Sequence, residues 1–264
     1  VLDAANCQLN TGIRKILIYN GISFFQKKTF HMWVLYVLSF LLFSSSPSEN
    51  PVSENLLDKL LSQHAEAMGG YEHWANLQTL YVRFNDGDGG ILEAYTKRPS
   101  KFKLVMRFAG YEWIKAWDGR TGWARYNGED KEMTAGEARE MAEEPYFFDE
   151  LLLARDLGYD VRLLSREKVD HRLAYKIRVT KAPDDVVTYY LNAQTFLIDR
   201  IDETSHDPKW AGRTFTNILR DYQSWDGLKL PSRWCIHGAD KPRCLMVEEV
   251  IVDAPMKDAA FAKE

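Results

Sequence analysis

Phe102, Leu104, Met106 and Phe108 alternate with Lys101, Lys103 and Arg107. This is the two-residue period of a β-strand with one face in water and one against apolar matter. The pattern returns in Leu173, Tyr175, Ile177 and Val179, set against Lys176, Arg178 and Thr180, and again in Val187, Tyr189 and Leu191. A chain built this way folds into a large sheet with one apolar face. Few helical segments accompany the strands, so something else must cover that face, and a lipid is the leading candidate.

The sequence predicts about a dozen strands, near 78–85, 90–97, 101–109, 111–117, 121–127, 160–169, 172–181, 185–192, 195–203, 213–225, 228–237 and 243–252. Turn chemistry links them at Asp86-Gly87-Asp88-Gly89-Gly90, Pro99-Ser100 and Asp118-Gly119. Consecutive hairpin-linked strands pair antiparallel, and a sheet this wide twists and curls. The expected fold is therefore mainly β: a half-open barrel of about 11–12 strands, with an N-terminal helix and further helices as its covers. That first helix is expected from Ser53, with the stripe Leu56, Leu57, Leu60, Leu61, Ala65 and Met68, ending at Gly69-Gly70. A short second helix is expected over Tyr71 to Leu77. Thr134 and Glu137 form a capping box for a third, and Pro145 opens a fourth, which places Phe147, Phe148, Leu151 and Leu152 on one face.

The first 48 residues read as a leader. The first Met is Met32, followed by the apolar run Trp33 to Phe43 and Ser44-Ser45-Ser46-Pro47-Ser48. That run is too short to span a bilayer but suits a secretory signal, with an uncleaved membrane anchor as the alternative. Residues 49–264 are expected to form one domain. Excluding the first 49 residues, 30 basic face 36 acidic residues, a balance that argues against nucleic acid and against simple adsorption to anionic lipid. Cys7 belongs to the leader. Cys235 and Cys244 flank a turn-rich segment. A two-residue loop at Ala239-Asp240 would set them opposite each other for a disulfide, and a four-residue loop would break that register. No metal spacing, nucleophile elbow or phosphate loop is present, so no cofactor and no enzyme are expected, and a hydrolase is the weakest alternative.

Three ordered segments resemble the periplasmic lipoprotein-localisation factor family, the LolA/LolB-like carriers of outer-membrane lipoproteins. They are Leu92-Glu93-Ala94-Tyr95-Thr96-Lys97-Arg98-Pro99, then Trp117-Asp118-Gly119-Arg120-Thr121-Gly122-Trp123, then Pro145-Tyr146-Phe147 through Leu151-Leu152-Leu153-Ala154-Arg155. The resemblance implies an incomplete barrel with a helical lid over a cavity for acyl chains of lipoproteins or other lipids. It also implies a periplasmic site, with an inner-membrane donor and an outer-membrane acceptor as partners. On this reading Phe102, Leu104, Met106, Phe108, Leu173, Tyr175, Ile177 and Val179 line the cavity. Phe147, Phe148, Leu151 and Leu152 close over it, and Arg98 is the latch that holds the lid. The same fold would also serve an envelope-stress sensor acting through a membrane partner, and apolar strand faces can equally pack on each other as a closed sandwich. Trp210, in the polar loop after residue 204, is a candidate contact for a partner or a membrane.

Overall fold

The structure, a computed structural model, describes residues 51–143, 150–205, 210, 212–239 and 241–263. The leader, Pro145, Phe147 and Phe148 lie outside the described residues. Thirteen strands form one antiparallel sheet: β1 (Thr79–Asn85), β2 (Ile91–Lys97), β3 (Lys101–Phe108), β4 (Tyr111–Trp117), β5 (Gly122–Tyr126), β6 (Glu129–Lys131), β7 (Asp160–Val169), β8 (Arg172–Ala182), β9 (Asp185–Asn192), β10 (Ile198–Thr204), β11 (Thr214–Trp225), β12 (Leu228–His237) and β13 (Arg243–Val252). Their order is β6-β5-β4-β3-β2-β1-β13-β12-β11-β10-β9-β8-β7. Every neighbour is a sequence neighbour except at the β1–β13 seam, where the first strand meets the last. The sheet does not close: β6 and β7 are its free edges, which makes it an open half-barrel. The short β6 is the one strand that the sequence pattern does not announce, because its three residues Glu129, Asp130 and Lys131 are all polar and exposed.

Antiparallel order sorts the connections onto two ends. The β1–β2, β3–β4, β5–β6, β8–β9, β10–β11 and β12–β13 links share one end, called the mouth below. The β2–β3, β4–β5, β7–β8, β9–β10 and β11–β12 links share the other, the base. Helix α1 (Pro51–Ala67) and helix α2 (Tyr71–Asn76) close the base. α1 is helical already from Pro51, two residues before the expected start at Ser53, with proline where a helix needs no N–H. It ends at Gly69 and Gly70, both at positive φ, with the Gly70 N–H donating back to the Ala65 carbonyl at 2.8 Å. The Lys229 N–H then donates to the Met68 carbonyl at 3.0 Å, and His64, fully buried, donates through Nδ1 to the Phe196 carbonyl at 2.7 Å. These bonds tie α1 to the base turns of β11–β12 and β9–β10.

Two apolar clusters fill the inside. One joins Met68, Trp74 and Leu77 to Leu80, Val82, Phe84, Phe102, Leu228, Leu230 and Leu245. The other joins Leu57 and Leu60 of α1 to Ile177, Val179, Val187, Tyr189, Leu191, Ile198 and Leu219. Tyr222 and Trp234 pack against both. Cys235 and Cys244 pair directly across β12–β13 and form a disulfide. Their register is the one that a two-residue loop dictates, although the strands themselves stop at His237 and Arg243.

Candidate functional site

Burial on the inner face changes along the strands. On β3, Phe102 is fully buried, Leu104 and Met106 are half-buried, and Phe108 at the mouth is 47% exposed. On β12, Leu228 and Leu230 are sealed, whereas Trp234 and Ile236 are not. On β11 burial falls from Leu219 and Asn217 to Phe215, and on β10 from Ile198 through Ile201 to the exposed Glu203. On β2, Ala94 is sealed and Leu92 half-buried. The register puts these residues on one face: Leu92 opposite Met106, Asn217 opposite Ile236, and Phe215 opposite Glu203. Inner-face burial therefore decreases from the base toward the mouth on both the β2–β3 wall and the β10–β12 wall, with Leu92, Leu104, Trp234 and Ile236 still packed against the first cluster and Ile201 against the second.

Two helices, together called the strap below, lie against the inner face toward the mouth. Helix α3 (Ala135–Glu143) packs on β3, β4 and β5 and starts with the expected capping box. The Thr134 N–H donates to Glu137 Oε2 at 2.9 Å, and the Glu137 N–H donates to Thr134 Oγ1 at 3.1 Å. Glu137 also binds Lys115 on the inner face of β4. From the same helix Arg139 reaches Asp185, at the start of β9, at 3.0 Å, and Glu140 accepts from Ser205, just past β10, at 3.0 Å. The strap is thus fastened by charged or hydroxyl groups to both walls. Helix α4 (Glu150–Leu153) follows: its Glu150 pairs with Lys181 on β8 at 2.8 Å and accepts from the Tyr189 hydroxyl at 3.3 Å. Burial pushes the Glu150 carboxyl up, against the pull of Lys181.

The residues expected to line a cavity divide by position. Leu104, Met106 and Tyr175 are half-buried inner-face residues. Phe102, Ile177 and Val179 belong to the sealed clusters, and Phe108 and Leu173 are exposed at opposite ends of the sheet. In α4, Leu151 is sealed beside Leu57 and Leu60, and Leu152 packs beside the other cluster. Arg98 donates to the Trp74 and Ala75 carbonyls at 2.7 Å each, where α2 leaves its last carbonyls without helical partners. Trp113 lies on the inner face near the mouth with the Lys115 ammonium 4.7 Å from its ring centre, and Trp117 packs against the first cluster. Trp123 is covered instead by the C-terminal segment and donates to the Phe261 carbonyl at 2.8 Å. Trp210 packs edge-on against Phe215, with the Arg213 guanidinium 4.8 Å from its ring.

Sequence pattern missed Leu92, Ile201, Phe215, Trp234, Ile236 and Glu203 as inner-face residues short of full burial. The alternation of β10–β12 carried the signal, but how deeply each is covered depends on how the sheet curls. Among the described residues no group of three or more metal-ligating side chains converges, and no helix is long and apolar enough to cross a membrane.

No protein-family model matches the chain, and no curated protein matches it. Solved structures do. A DUF1329 family protein from Desulfovibrio piger aligns at 13% identity and TM-score 0.49, over 78% of this chain and 96% of that one. A LolA superfamily protein from Nitrosomonas europaea aligns at 15% identity and TM-score 0.48, over 76% and 96%. A putative outer membrane lipoprotein-sorting protein domain from Vibrio parahaemolyticus aligns at 10% identity and TM-score 0.44, over 77% and 94%.

Proposed function

We propose that the protein binds an acyl chain, of a lipoprotein or another lipid, in a hollow beneath the α3–α4 strap, and carries it without catalysing a reaction on it. The observation that carries this reading is the burial gradient on the inner face. Side chains that are sealed at the base on β2, β3, β10, β11 and β12 become accessible toward the mouth although they still point inward. An apolar wall of that kind is stabilised by any chain that removes it from water. Each methylene transferred is worth about 0.8 kcal/mol, so a sixteen-carbon chain gains on the order of 10 kcal/mol before ordering costs.

Release needs a competing state, and the strap supplies one. Its fastenings to Lys115, Asp185, Ser205 and Lys181 must yield for a long chain to enter or leave, which lowers net affinity. The latch assigned to Arg98 belongs to the same proposal. So does export to the periplasm, for which the Cys235–Cys244 disulfide is the supporting observation, since such bonds persist in oxidising compartments.

Native mass spectrometry of the protein purified from the periplasm, and displacement of a fluorescent fatty acid in vitro, test the reading. Bound acyl mass is expected, together with loss of probe binding in Met106→Arg, which sets an unpaired charge in the wall. Absence of any acyl adduct and of any probe binding overturns it.

A further inference from the structure

We propose that Glu203 is the polar anchor of the hollow and selects ligands whose head carries an ammonium group. This deepens the acyl-binding reading above and rests on it. Glu203 is on the inner face of β10, opposite Phe215 on β11 and Val187 on β9. Water reaches it from the mouth side, although protein surrounds it closely enough to desolvate the carboxyl, whereas Val187 beside it is only 4% exposed. A carboxyl on the inside of a sheet is costly unless something compensates it, and here the compensation is partial. Asn217 Nδ2 donates to Glu203 Oε1 at 2.7 Å, and the indole N–H of Trp234 donates to Asn217 Oδ1 at 2.8 Å. Because an indole can only donate, it fixes the Asn217 amide with its NH₂ toward Glu203. The relay Trp234–Asn217–Glu203 therefore orients one carboxyl oxygen. The other has no hydrogen bond from the described residues, in a side chain that water reaches.

The charges around it favour a cation. Lys181, the cation that acts on Glu203, is paired with Glu150 at 2.8 Å, while Glu140 and Asp185 act on Glu203 as like charges. Burial raises the Glu203 carboxyl, and these neighbours raise it further against the pull of Asn217 and Lys181. An incoming ammonium group reverses that penalty by pairing with the carboxylate. A carboxylate head would meet repulsion, and a hydroxyl would donate one hydrogen bond to the carboxylate without neutralising its charge. Phe215, Ile201, Ile236 and Trp234 flank the anchor and accommodate the chain behind the head.

Binding of three amphiphiles of one chain length, dodecylamine, dodecanol and dodecanoate, is measured by displacement of a fluorescent probe below their micelle concentrations. The wild type is expected to bind the amine at least tenfold more tightly than the alcohol, and the carboxylate most weakly. Glu203→Gln, nearly isosteric, is expected to bring amine and alcohol within twofold of each other. Glu203→Asp retains the order of preference, and Trp234→Phe, which frees the Asn217 amide, reduces it. Equal binding of all three heads by the wild type, or an amine preference that survives Glu203→Gln, overturns the anchor and leaves the acyl reading intact. Failure of all three to bind overturns the acyl reading itself.

Discussion

Lys115 and Glu137 meet inside the half-barrel at 2.5 Å, and the carboxylate that receives the ammonium is the same one that caps α3. Both side chains are largely withdrawn from water, 14% and 20% exposed, so a helix start and a wall contact are one structural event. Replacing Lys115 by Met leaves the cap in place and removes the wall contact together with the ammonium near the Trp113 ring. The expected cost is about 1–2 kcal/mol, above that of a solvent-exposed pair and below that of a fully buried one. It should appear as roughly tenfold faster amide hydrogen exchange across Ala135–Glu143, with the base strands unchanged. Exchange at the wild-type rate would mean that this pair does not hold the strap.

Arg98 connects two claims that one variant can separate. Its guanidinium satisfies the Trp74 and Ala75 carbonyls, and Arg98→Leu leaves them without that donor. Charged hydrogen bonds of this kind contribute about 1.5–3 kcal/mol each, part of which water restores at a half-buried site. A loss of about 2 kcal/mol in denaturant-measured stability is expected. The proposed latch predicts a second effect, slower transfer of bound lipid from donor to acceptor vesicles with affinity largely retained. Lower stability with unchanged transfer kinetics would confine Arg98 to holding α2.

Gly69 provides a test of how α1 is seated on the base. Its φ is +103°, and a methyl group there would approach the Gly227 carbonyl oxygen to 2.2 Å, a backbone atom that cannot move aside without shifting the β11–β12 turn. Gly70, at φ +100°, has nothing within 4 Å of the same position. Gly70→Ala therefore incurs only conformational strain, about 1 kcal/mol, while Gly69→Ala adds the clash, for a total of about 2–4 kcal/mol. Comparable melting temperatures for the two variants would show that the Met68–Lys229 junction is loose.

The strand alternation made most of this architecture legible. Twelve of the thirteen strands, their antiparallel pairing and the open barrel follow from period-two patterning and turn residues, because one buried face fixes the register. The capping box at Thr134 and Glu137 was equally readable, being a local motif. What the pattern could not provide was depth along a strand. Phe102 and Met106 are indistinguishable by alternation, yet one is sealed against the base helices and the other is only half-buried toward the mouth. That difference is set by where α1 and α2 dock. The strap contacts were hidden because nothing local pairs Lys115 with Glu137, Asp185 with Arg139 or Lys181 with Glu150. Glu203 broke the apolar alternation of β10, as Lys115 did on β4 and Asn217 on β11, and those interruptions were the local signs of polar groups on the inner wall.

The raised Glu203 carboxyl also makes a prediction about pH. In the folded chain burial, with Glu140 and Asp185 nearby, lifts it above its unfolded value of 4.5. Between those two values the native state binds more protons than the unfolded state, so this group's contribution to stability is complete below about pH 4.5 and is lost as pH rises through the folded value. Glutamine imitates the protonated form at every pH. Glu203→Gln should therefore melt at a higher temperature than the wild type at pH 7.5, with the gap closing as pH approaches 4. Glu150 titrates in the same direction and Asp86, Asp118 and Asp202 in the opposite one, but all are common to both proteins and cancel in the difference. Thermal unfolding of the pair across that range reads it directly. A gap that is independent of pH would place Glu203 in ordinary solvent, which would also remove the electrostatic basis for selecting an ammonium head.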